Sequence, residues 1–248
     1  MSTTAILHEI FSSRQGEGPY TGINMTFVRF QGCSLRCRWC DTPASLPRHQ
    51  ATFRVESPPQ SGLFRNEQNP CTLSQLNAIC TEFDDEWIAL TGGEPLEQSS
   101  FLAEWLPTLS LRRKILLETG GVLTRALHTV MPFVDVISMD LKLPSSTGMR
   151  AYWDTHREFL HTAHAAKKNV YVKMVIDADT TAGDIQQASD LIAAIDANIP
   201  VIVQCASATP TFDRTPTEVQ LTRALAHCQT TLQRVSIGHQ MHKVWGVL

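Results

Sequence analysis

The sequence of 248 residues has few charged side chains, at 18%, and no long apolar run. No stretch approaches the roughly 18 uninterrupted apolar residues of a membrane span, so the chain is not predicted to cross a bilayer. Its net charge is -3, which disfavours a protein that mainly coats nucleic acid or an anionic membrane. The segment 1–18 lacks a basic stretch followed by a long apolar one, so no signal peptide is predicted and a cytoplasmic location is expected.

An even, spread-out set of cysteines, typical of secreted disulfide scaffolds, is also missing. The chain has seven cysteines, and Cys33, Cys37 and Cys40 fall within eight residues. In a reducing compartment this tight group favours a metal site. The other four are scattered, which is typical of small buried hydrophobic residues.

Apolar, β-branched runs alternate with helix-like segments along the chain. The predicted strands are Ala5–Ile10, Met25–Phe30, Trp87–Thr91, Lys114–Glu118, Val134–Asp140, Val170–Ile176, Val201–Gln204 and Arg234–Ile237. The predicted helices are Leu73–Phe83, Phe101–Leu109, Leu123–Val130, Met149–Ala165, Gly183–Ala197 and Thr217–Leu232. This alternation predicts an α/β fold with a mainly parallel sheet or a partial barrel, with chemistry at the carboxyl ends of the strands.

One segment interrupts the alternation. Pro43–Pro70 carries five prolines with polar residues between them, and it predicts an irregular insertion after the cysteine group. Two interpretations stay open, a solvated loop or a cover beside the metal. No repeat or linker divides the chain, so residues 1–248 are expected to form one domain.

The cysteine group has the spacing C-x3-C-x2-C directly after a predicted strand. Three thiolates suit iron or zinc. A structural zinc site needs four ligands, and an electron-transfer [4Fe-4S] site needs four cysteines. Three cysteines leave one iron of a cubane without a protein ligand, open to a chelating substrate or cofactor.

Polar or glycine-rich segments follow four predicted strands. They are Thr91–Pro95 (TGGEP), Glu118–Gly121 (ETGG), Ser138–Lys142 (SMDLK) and Gln204–Ser207 (QCAS). A glycine pair lets the backbone approach a ligand closely, and a carboxylate beside it accepts hydrogen bonds from an ammonium group. The alternative interpretation is that these are ordinary turn residues and surface charges.

The cysteine spacing, with Trp39 before the third cysteine and GGEP one strand-helix unit later, resembles the radical S-adenosylmethionine (SAM) superfamily. Within it, QGEG at 15–18, FVRFQGC at 27–33, CDT at 40–42 and a terminal HK-x-x-G element resemble the 7-carboxy-7-deazaguanine synthase family. The chain departs from that family at Gly120, where Asn is frequent, and at Cys205, where proline is common.

The resemblance implies a shortened, modified (β/α) TIM-like barrel that binds a [4Fe-4S] cluster, SAM and Mg2+. The implied reaction is conversion of 6-carboxy-5,6,7,8-tetrahydropterin to 7-carboxy-7-deazaguanine with loss of ammonia, a step toward queuosine. It would start when a 5′-deoxyadenosyl radical removes the C6 hydrogen, and ring contraction would follow. The implied partners are the pterin, a reductant such as flavodoxin or ferredoxin, and a second copy in a homodimer, with no nucleic acid or membrane.

The resemblance also implies roles for individual residues. Cys33, Cys37 and Cys40 match the cluster ligands, and Thr42 matches the Mg2+ ligand. The positions implied to bind SAM are Gly93, Glu94, Glu118, Ser138, Met139, Asp140, Gln204, Cys205, Ala206 and Ser207. The positions implied to bind the substrate are Arg14, Gln15, Gly16, Glu17, Arg29, Thr91, His242 and Leu248. No side chain is implied as a general acid or base.

The side-chain chemistry supports several of these roles without the family. A pterin presents donors and acceptors along one edge, and Gln15 offers both while Glu17 accepts from ring and exocyclic N–H groups. The guanidinium of Arg29 suits a carboxylate through paired donors. The alternatives are loop residues for Gln15 and Glu17, a surface cation for Arg29 and a structural histidine for His242.

Two other classes remain as competing interpretations. A glycyl-radical activase shares the cysteine spacing and GGEP, but the QGEG segment and the terminal element argue against it. A metal-binding scaffold or electron carrier would not need GGEP and several polar strand ends. SAM cleavage distinguishes the two enzyme classes from a scaffold or electron carrier, and the identity of the substrate distinguishes a synthase from an activase.

Overall fold

The alternating strands and helices build one large sheet covered by helices in the computed structural model, which describes residues 3–109 and 113–247. The strands are β1 (Thr4–Ala5), β2 (Leu7–Arg14), β3 (Asn24–Phe30), β4 (Thr52–Glu56), β5 (Phe64–Gln68), β6 (Cys71–Thr72), β7 (Trp87–Gly92), β8 (Lys114–Thr119), β9 (Val136–Asp140), β10 (Asn169–Ile176), β11 (Val201–Cys205) and β12 (Val235–Gly238). All eight predicted strands are present, although Ala5–Ile10 is divided between β1 and β2.

The α-helices follow the strands as the alternation predicts. They are α1 (Leu73–Cys80), α2 (Ser99–Trp105), α3 (Thr124–Val130), α4 (Pro144–Thr147), α5 (Trp153–Ala165), α6 (Ala182–Asp196), α7 (Glu218–Gln229) and α8 (Met241–Trp245). Helix α2 is shorter than predicted because Pro107 lacks an N–H, and a 3-10 turn replaces its last residues. Gly148, at φ 74°, ends α4, and helix α5 begins at Trp153 rather than at the predicted Met149. Within the two described ranges, no helix is long and apolar enough to cross a membrane.

Ten strands form the main sheet, in the order β12-β11-β10-β9-β8-β7-β3-β2-β4-β5. The seven strands from β12 to β3 are mutually parallel, and β2 pairs antiparallel to β3. The prediction of a mainly parallel α/β sheet is confirmed. Strands β12 and β5 are separate edges, so the barrel is partial.

Segment 43–70 corrects the prediction of an irregular insertion. It contains the antiparallel hairpin β4–β5, and β4 pairs in parallel with β2. Phe53 and Val55 alternate with the exposed Arg54, so the segment has a strand-like pattern that its prolines obscured. Pro58 and Pro70 lie just outside the strands, where a missing N–H costs no ladder hydrogen bond.

The sheet separates two apolar layers. The larger one lies between the sheet and its helices and includes Trp105, Phe159 and Met139. The smaller one lies on the concave face and includes Phe11 and Phe27, whose rings stack with centroids 5.1 Å apart. The central parallel strands β7 to β11 are therefore buried on both faces, as expected for a parallel sheet.

Candidate active site

The concave face of the sheet changes from apolar to polar along six of its parallel strands, β3 and β7 to β11. Near the amino ends the inward residues are apolar and pack together: Phe27, Ala89, Leu116, Val136, Tyr171 and Ile202. Two positions further along the same strands, the inward residues are polar and line a cavity: Arg29, Thr91, Glu118, Ser138, Lys173 and Gln204. Because strand side chains alternate with a period of two, each pair shares one face.

This cavity has a volume of about 370 Å3 and lies at the carboxyl ends of the parallel strands. Its size suits a small molecule. The predicted residues that line it are Arg14, Gln15, Gly16, Glu17, Arg29, Cys33, Cys37, Cys40, Thr42, Thr91, Gly93, Glu94, Glu118, Ser138, Asp140, Gln204 and His242.

A few predicted residues lie outside the cavity lining. Met139 packs in the core between sheet and helices, because strand alternation turns it away from its neighbours Ser138 and Asp140. The residues after Gln204, namely Cys205, Ala206 and Ser207, do not line the cavity either, and Ala206 packs against Phe212 and Trp39. Leu248 lies outside the described residues.

The three cysteines of the C-x3-C-x2-C motif lie in the loop after β3 and all line the cavity. Burial is the main cause that raises the pKa of Cys33, to about 12, and of Cys37. A metal cation would supply the positive charge that lets these buried thiols ionise. In this structure their sulfurs do not all lie within 4.8 Å of one another.

Arg38 anchors this loop to the sheet. Its Nη2 lies 2.6 Å from Oδ2 of Asp177, a fully buried carboxylate just after β10. Nε and Nη2 also donate to the carbonyl oxygens of Ser146 and Ser145, at 2.8 and 2.7 Å. Charge-assisted bonds to a buried carboxylate are among the stronger hydrogen bonds, so Arg38 fixes where Cys37 and Cys40 sit.

The turn after β7 brings two glycines against the start of the cysteine loop. A Cβ at Gly93 would collide with the carbonyl oxygen of Gly32, and one at Gly92 with that of Phe30. The N–H of Gly93 donates to Phe30 O at 2.9 Å, and that of Glu94 to Gly32 O at 2.8 Å. The glycine pair is therefore required for this close approach.

Gly93→Ala should lower the free energy of unfolding by about 3 kcal/mol, because the added methyl group meets backbone that cannot yield. It should also reduce iron retention, since Gly32 directly precedes Cys33. Urea unfolding and iron content measure the two effects. Gly183→Ala is the matched control, because its Cβ would meet only Thr181 Oγ1, at 3.9 Å. Equal stability for both variants would contradict the packing argument.

Glu94 is buried and holds the neighbouring turn together. Its Oε2 accepts from Gly120 N–H at 2.8 Å, and its Oε1 accepts from Thr119 Oγ1 at 2.9 Å and Leu96 N–H at 3.1 Å. Burial is the largest influence and raises the pKa of Glu94, although these donors oppose it. The carboxylate thus joins the GGEP segment to the end of β8.

Glu118 links the residues predicted for SAM to those predicted for the substrate. Its Oε1 accepts from Gln15 Nε2 at 3.0 Å, and its Oε2 accepts from Thr91 Oγ1 at 2.7 Å. The Oε1 of Gln15 accepts from the N–H of Glu17 at 3.0 Å. Gln15, Thr91 and Glu118 therefore form one polar array on the cavity wall, and the ribose-binding role of Glu118 stays a prediction.

A buried ion pair crosses the cavity between Glu17 and Lys173, which are 9% and 7% exposed. Burial acts to raise the pKa of Glu17, but the Lys173 ammonium and a hydrogen bond from Gln240 outweigh it and hold the pKa at about 2. The pKa of Lys173 is raised well above its usual value: burial opposes the shift, but the charge of Glu17 outweighs it. The pair is therefore charged at neutral pH.

The C-terminal segment closes one side of the cavity. Gln240 Nε2 donates to Glu17 Oε1 at 2.8 Å and to Asp41 Oδ2 at 2.6 Å. His242 packs against Gly16, where a Cβ would overlap its ring. Among the described residues, Glu17, Asp41 and His242 form the one group of three metal-ligand types whose ligand atoms all lie within 4.8 Å. This group already holds the Gln240 amide between its two carboxylates.

Arg29 and Arg54 share one carboxylate. Arg29 Nε lies 2.9 Å from Glu9 Oε1, and Arg54 pairs with Glu9 Oε2. Arg29 lines the cavity, whereas Arg54 does not. Glu9 therefore ties the hairpin β4–β5 to a cationic group on the cavity wall.

Two buried acceptors on the opposite wall have no hydrogen-bond partner among the described residues. Asp140 Oδ1 and Gln204 Oε1 make no hydrogen bond to described residues, although both side chains line the cavity. Lys142 Nζ lies 2.8 Å from Asp140 Oδ2 and 4.7 Å from the centre of the Trp39 ring. Unpaired buried acceptors are costly, and a ligand with N–H or O–H groups would satisfy them.

His156 supports the turn beside Glu94 from the helix side. It is fully buried, its Nε2 lies 3.2 Å from Gly120 O, and its Nδ1 has no partner among described residues. Burial lowers its pKa to about 4. Protonation would add an N–H donor at Nδ1 with no acceptor, so the folded chain keeps this ring neutral.

The unfolded chain takes up a proton at His156 below pH 6.5, whereas the folded chain does so only near pH 4. The His156 contribution to stability should therefore be lost progressively as pH falls from 6.5 toward 4. His156→Gln should show a smaller loss of urea stability between pH 7 and 5 than wild type. His161→Gln, an exposed position on the same helix, is the control and should behave as wild type. An unchanged pH response in His156→Gln would contradict this.

Sequence reasoning missed several residues of the site, above all Lys173, Gln240 and Asp41. Lys173 had a visible signal, since it is the one charged residue in the apolar strand Asn169–Ile176. Lysines are almost never fully buried without a partner, so such a position indicates a buried ion pair. Gln240 and Asp41 gave no comparable signal.

The fold is shared with solved radical SAM enzymes. A radical SAM methyltransferase from Sphaerobacter thermophilus covers 94% of this chain and 77% of its own, with a TM-score of 0.59 and 14% identity. The match to QueE from Escherichia coli covers 94% of this chain and 93% of QueE, with a TM-score of 0.58 and 18% identity. A three-cysteine loop and a GGEP turn facing one cavity, on this fold, define an enzyme of the radical SAM class.

The sequence comparison is more specific. A 7-carboxy-7-deazaguanine synthase from Geobacter sulfurreducens is 39% identical over 206 residues, which is 81% of this chain and 81% of that protein. No protein-family model matches the chain. The chain belongs to the 7-carboxy-7-deazaguanine synthase family, and it is a radical SAM enzyme of 7-deazapurine biosynthesis.

Membership of this class implies a [4Fe-4S] cluster and SAM, and the residues fit both. Cys33, Cys37 and Cys40 place three thiols on one cavity wall, and three thiolates suit an iron–sulfur cluster that leaves one iron open to a cofactor. The unpaired acceptors Asp140 Oδ1 and Gln204 Oε1 on the cavity wall fit a polar cofactor that carries N–H or O–H groups.

Proposed function

We propose that the chain converts 6-carboxy-5,6,7,8-tetrahydropterin to 7-carboxy-7-deazaguanine with loss of ammonia. The observation that carries this proposal is that Gln15, Glu17 and Arg29 line the same cavity as the three cysteines. Donors, acceptors and a guanidinium on one wall suit a pterin with a carboxylate. Family membership supports the same reaction.

In this proposal each wall of the cavity has a separate task. Cys33, Cys37 and Cys40 would hold the cluster, and Gly93 and Glu94 would hold SAM, with Asp140 and Gln204 accepting its hydrogen bonds. The bound cluster and SAM would supply hydrogen-atom abstraction at C6 of the substrate. The chain itself would bind, orient and exclude water, because the apolar layer beneath the polar strand ends closes the floor of the cavity.

The substrate would bind across the cavity from Asp140 and Gln204, on the wall that carries Gln15, Glu17 and Arg29. Gln15 and Glu17 would pair with the aminopyrimidinone edge, and Arg29 would pair with the carboxylate. Thr42, which lines the cavity beside Asp41, would bind Mg2+, a hard cation that prefers oxygen ligands. A small reducing protein such as flavodoxin or ferredoxin would supply the electron.

The direct test is an anaerobic assay of the reconstituted protein with SAM, Mg2+, dithionite and 6-carboxytetrahydropterin. Mass spectrometry should detect 7-carboxy-7-deazaguanine. Cleavage of SAM without this product would agree with a radical SAM enzyme but would reject 6-carboxytetrahydropterin as its substrate.

Arg29→Met and Arg54→Met sharpen this test, because both arginines pair with Glu9 and only Arg29 lines the cavity. Loss of a charged hydrogen bond should lower kcat/KM about 10- to 100-fold in Arg29→Met. Arg54→Met should stay within about threefold of wild type, since Arg54 is half-exposed outside the cavity and Glu9 keeps its pair with Arg29. Equal losses would reject Arg29 as the carboxylate partner.

A further inference from the structure

We infer that Arg38 and the buried Asp177 set the distance between the cysteine loop and the cavity wall formed by β9, β10 and β11, and that they thereby control how tightly SAM binds. We refer to these two residues as the Arg38–Asp177 pair. Neither residue lines the cavity, so both act as positioning residues and not as catalytic ones. The inference rests on the proposed placement of SAM against Asp140 and Gln204, and it is independent of the pterin.

Arg38 ties the cysteine loop to helix α4, which follows β9. It lies between the second and third cysteines of the motif, and its backbone N–H donates to Thr147 O at 3.1 Å. Its Nε donates to Ser146 O at 2.8 Å, and its Nη2 donates to Ser145 O at 2.7 Å. Arg38 thus satisfies three consecutive carbonyl groups at the end of α4, where carbonyl groups lack intrahelical partners. The cysteine loop and α4 are therefore held as one unit.

The same guanidinium also reaches the loop after β10. Its Nη2 lies 2.6 Å from Oδ2 of Asp177, which is 1% exposed. The other oxygen of Asp177, Oδ1, accepts from Thr180 Oγ1 at 2.9 Å and from Asp179 N–H at 3.0 Å. These two bonds fix the carboxylate, so its Oδ2 stays directed at Arg38. A charge-assisted bond to a fixed, buried carboxylate resists displacement of the cysteine loop.

The contacts of the Arg38–Asp177 pair continue to the loop after β11, residues 206–217. Asp179 Oδ2 lies 3.1 Å from Arg38 Nη2, and it accepts from Arg214 Nε at 2.6 Å. Positive and negative groups thus alternate from the cysteine loop to this third loop. Through Arg38, the cysteine loop is joined to the segments that follow β9, β10 and β11.

These contacts determine the gap that SAM has to span. Cys37 and Cys40 would hold the cluster on one side, and the unpaired acceptors Asp140 Oδ1 and Gln204 Oε1 lie on β9 and β11. Asp177 directly follows β10, the strand between those two. A ligand that touches the cluster and this wall together needs a fixed separation, because a misplacement of about 1 Å can lower a rate about 100-fold. The Arg38–Asp177 pair therefore holds both sides of the SAM site in register.

The test measures SAM binding to the reconstituted protein without substrate. The signal is the change that SAM causes in the electron paramagnetic resonance spectrum of the dithionite-reduced cluster. Arg38→Lys keeps the charge, but an ammonium group cannot reach the α4 carbonyl oxygens and Asp177 together. It should keep the wild-type iron content and the wild-type spectrum without SAM, while the SAM concentration at half of the spectral change rises about 10-fold. SAM cleavage at saturating SAM should fall about 10- to 100-fold.

Arg214→Lys is the matched control, because Arg214 pairs with Asp179 from the far side and has no bond to the cysteine loop among the described residues. It should bind SAM as wild type does. Asp177→Asn should behave as Arg38→Lys does, since its amide N–H groups would face the guanidinium donors. If Asp177→Asn does not fold, Arg38→Lys decides alone.

Three results would overturn the inference. They are loss of iron in Arg38→Lys, wild-type SAM affinity in Arg38→Lys, and equal weakening of SAM binding by Arg214→Lys. Tight SAM binding by the wild-type protein without conversion of the pterin would reject the proposed substrate alone, because the inferred role of the Arg38–Asp177 pair is measured in the absence of substrate.

Discussion

Cys37→Ala should purify as a folded protein that retains almost no iron after reconstitution. Its side chain is one of three thiols on the cavity wall, and none of the other four cysteines lines the cavity. SAM cleavage to 5′-deoxyadenosine should fall at least about 1,000-fold, because the three thiols act as one unit. Iron and sulfide content and chromatography of the nucleoside products measure both effects.

Cys205→Ala is the matched control for this result. Cys205 ends β11 at the same end of the sheet, yet its thiol contacts Ala206 O at 3.4 Å outside the cavity lining. It should bind iron and cleave SAM as wild type does. Iron retained at the wild-type level in Cys37→Ala would show that the loop does not hold the cluster, and loss of iron in both variants would point to a general folding defect.

Lys173→Met should lower the free energy of unfolding by about 3–5 kcal/mol at neutral pH, since it leaves the buried Glu17 carboxylate without its cation. Activity should be lost as well, because Glu17 would then favour its protonated form on the substrate wall. The double variant Glu17→Gln with Lys173→Met should recover part of the stability but not the activity. Urea unfolding and the product assay distinguish the two effects.

Lys243→Met is the control for the ion pair, because Lys243 lies 3.7 Å from Asp41 and is 37% exposed. This substitution should lower the free energy of unfolding by no more than about 1 kcal/mol.

The pH dependence of stability adds a second test of the Glu17–Lys173 pair. The pKa of Glu17 is about 2 in the folded chain and 4.5 in the unfolded chain. The contribution of ionised Glu17 to the free energy of unfolding is therefore complete above pH 4.5 and is lost as pH falls toward 2. This loss of stability between pH 4.5 and pH 2 should be absent from Lys173→Met.

Most of the site could be predicted because it depends on local rules. Parallel strands end at one edge of the sheet, so the polar residues Thr91, Glu118 and Ser138 were expected to meet there. The same period of two turns the side chain of Met139 into the core, although the prediction grouped it with its neighbours. The resemblance aligned consecutive residues, whereas strand geometry alternates their faces.

The parts that could not be predicted depend on long-range pairing. Glu17 and Lys173 are 156 residues apart in the chain, so neither position reveals the other. Gln240 bridges Glu17 and Asp41 in the same way. The hairpin β4–β5 was missed for another reason, since its prolines suggested irregular chain although they lie at its turn and ends.

The hairpin also protects the sheet against intermolecular strand pairing. It places β5, with Arg65 and Glu67 alternating along it, at the edge that the more apolar β2 would otherwise occupy. Arg65 also pairs with Glu82 at 2.6 Å. A charged edge strand is a poor template for another chain, whereas an uncovered β2 would offer a row of unpaired backbone groups beside Ile10 and Phe11. A version of this enzyme shortened at the hairpin would therefore be prone to aggregate through that edge.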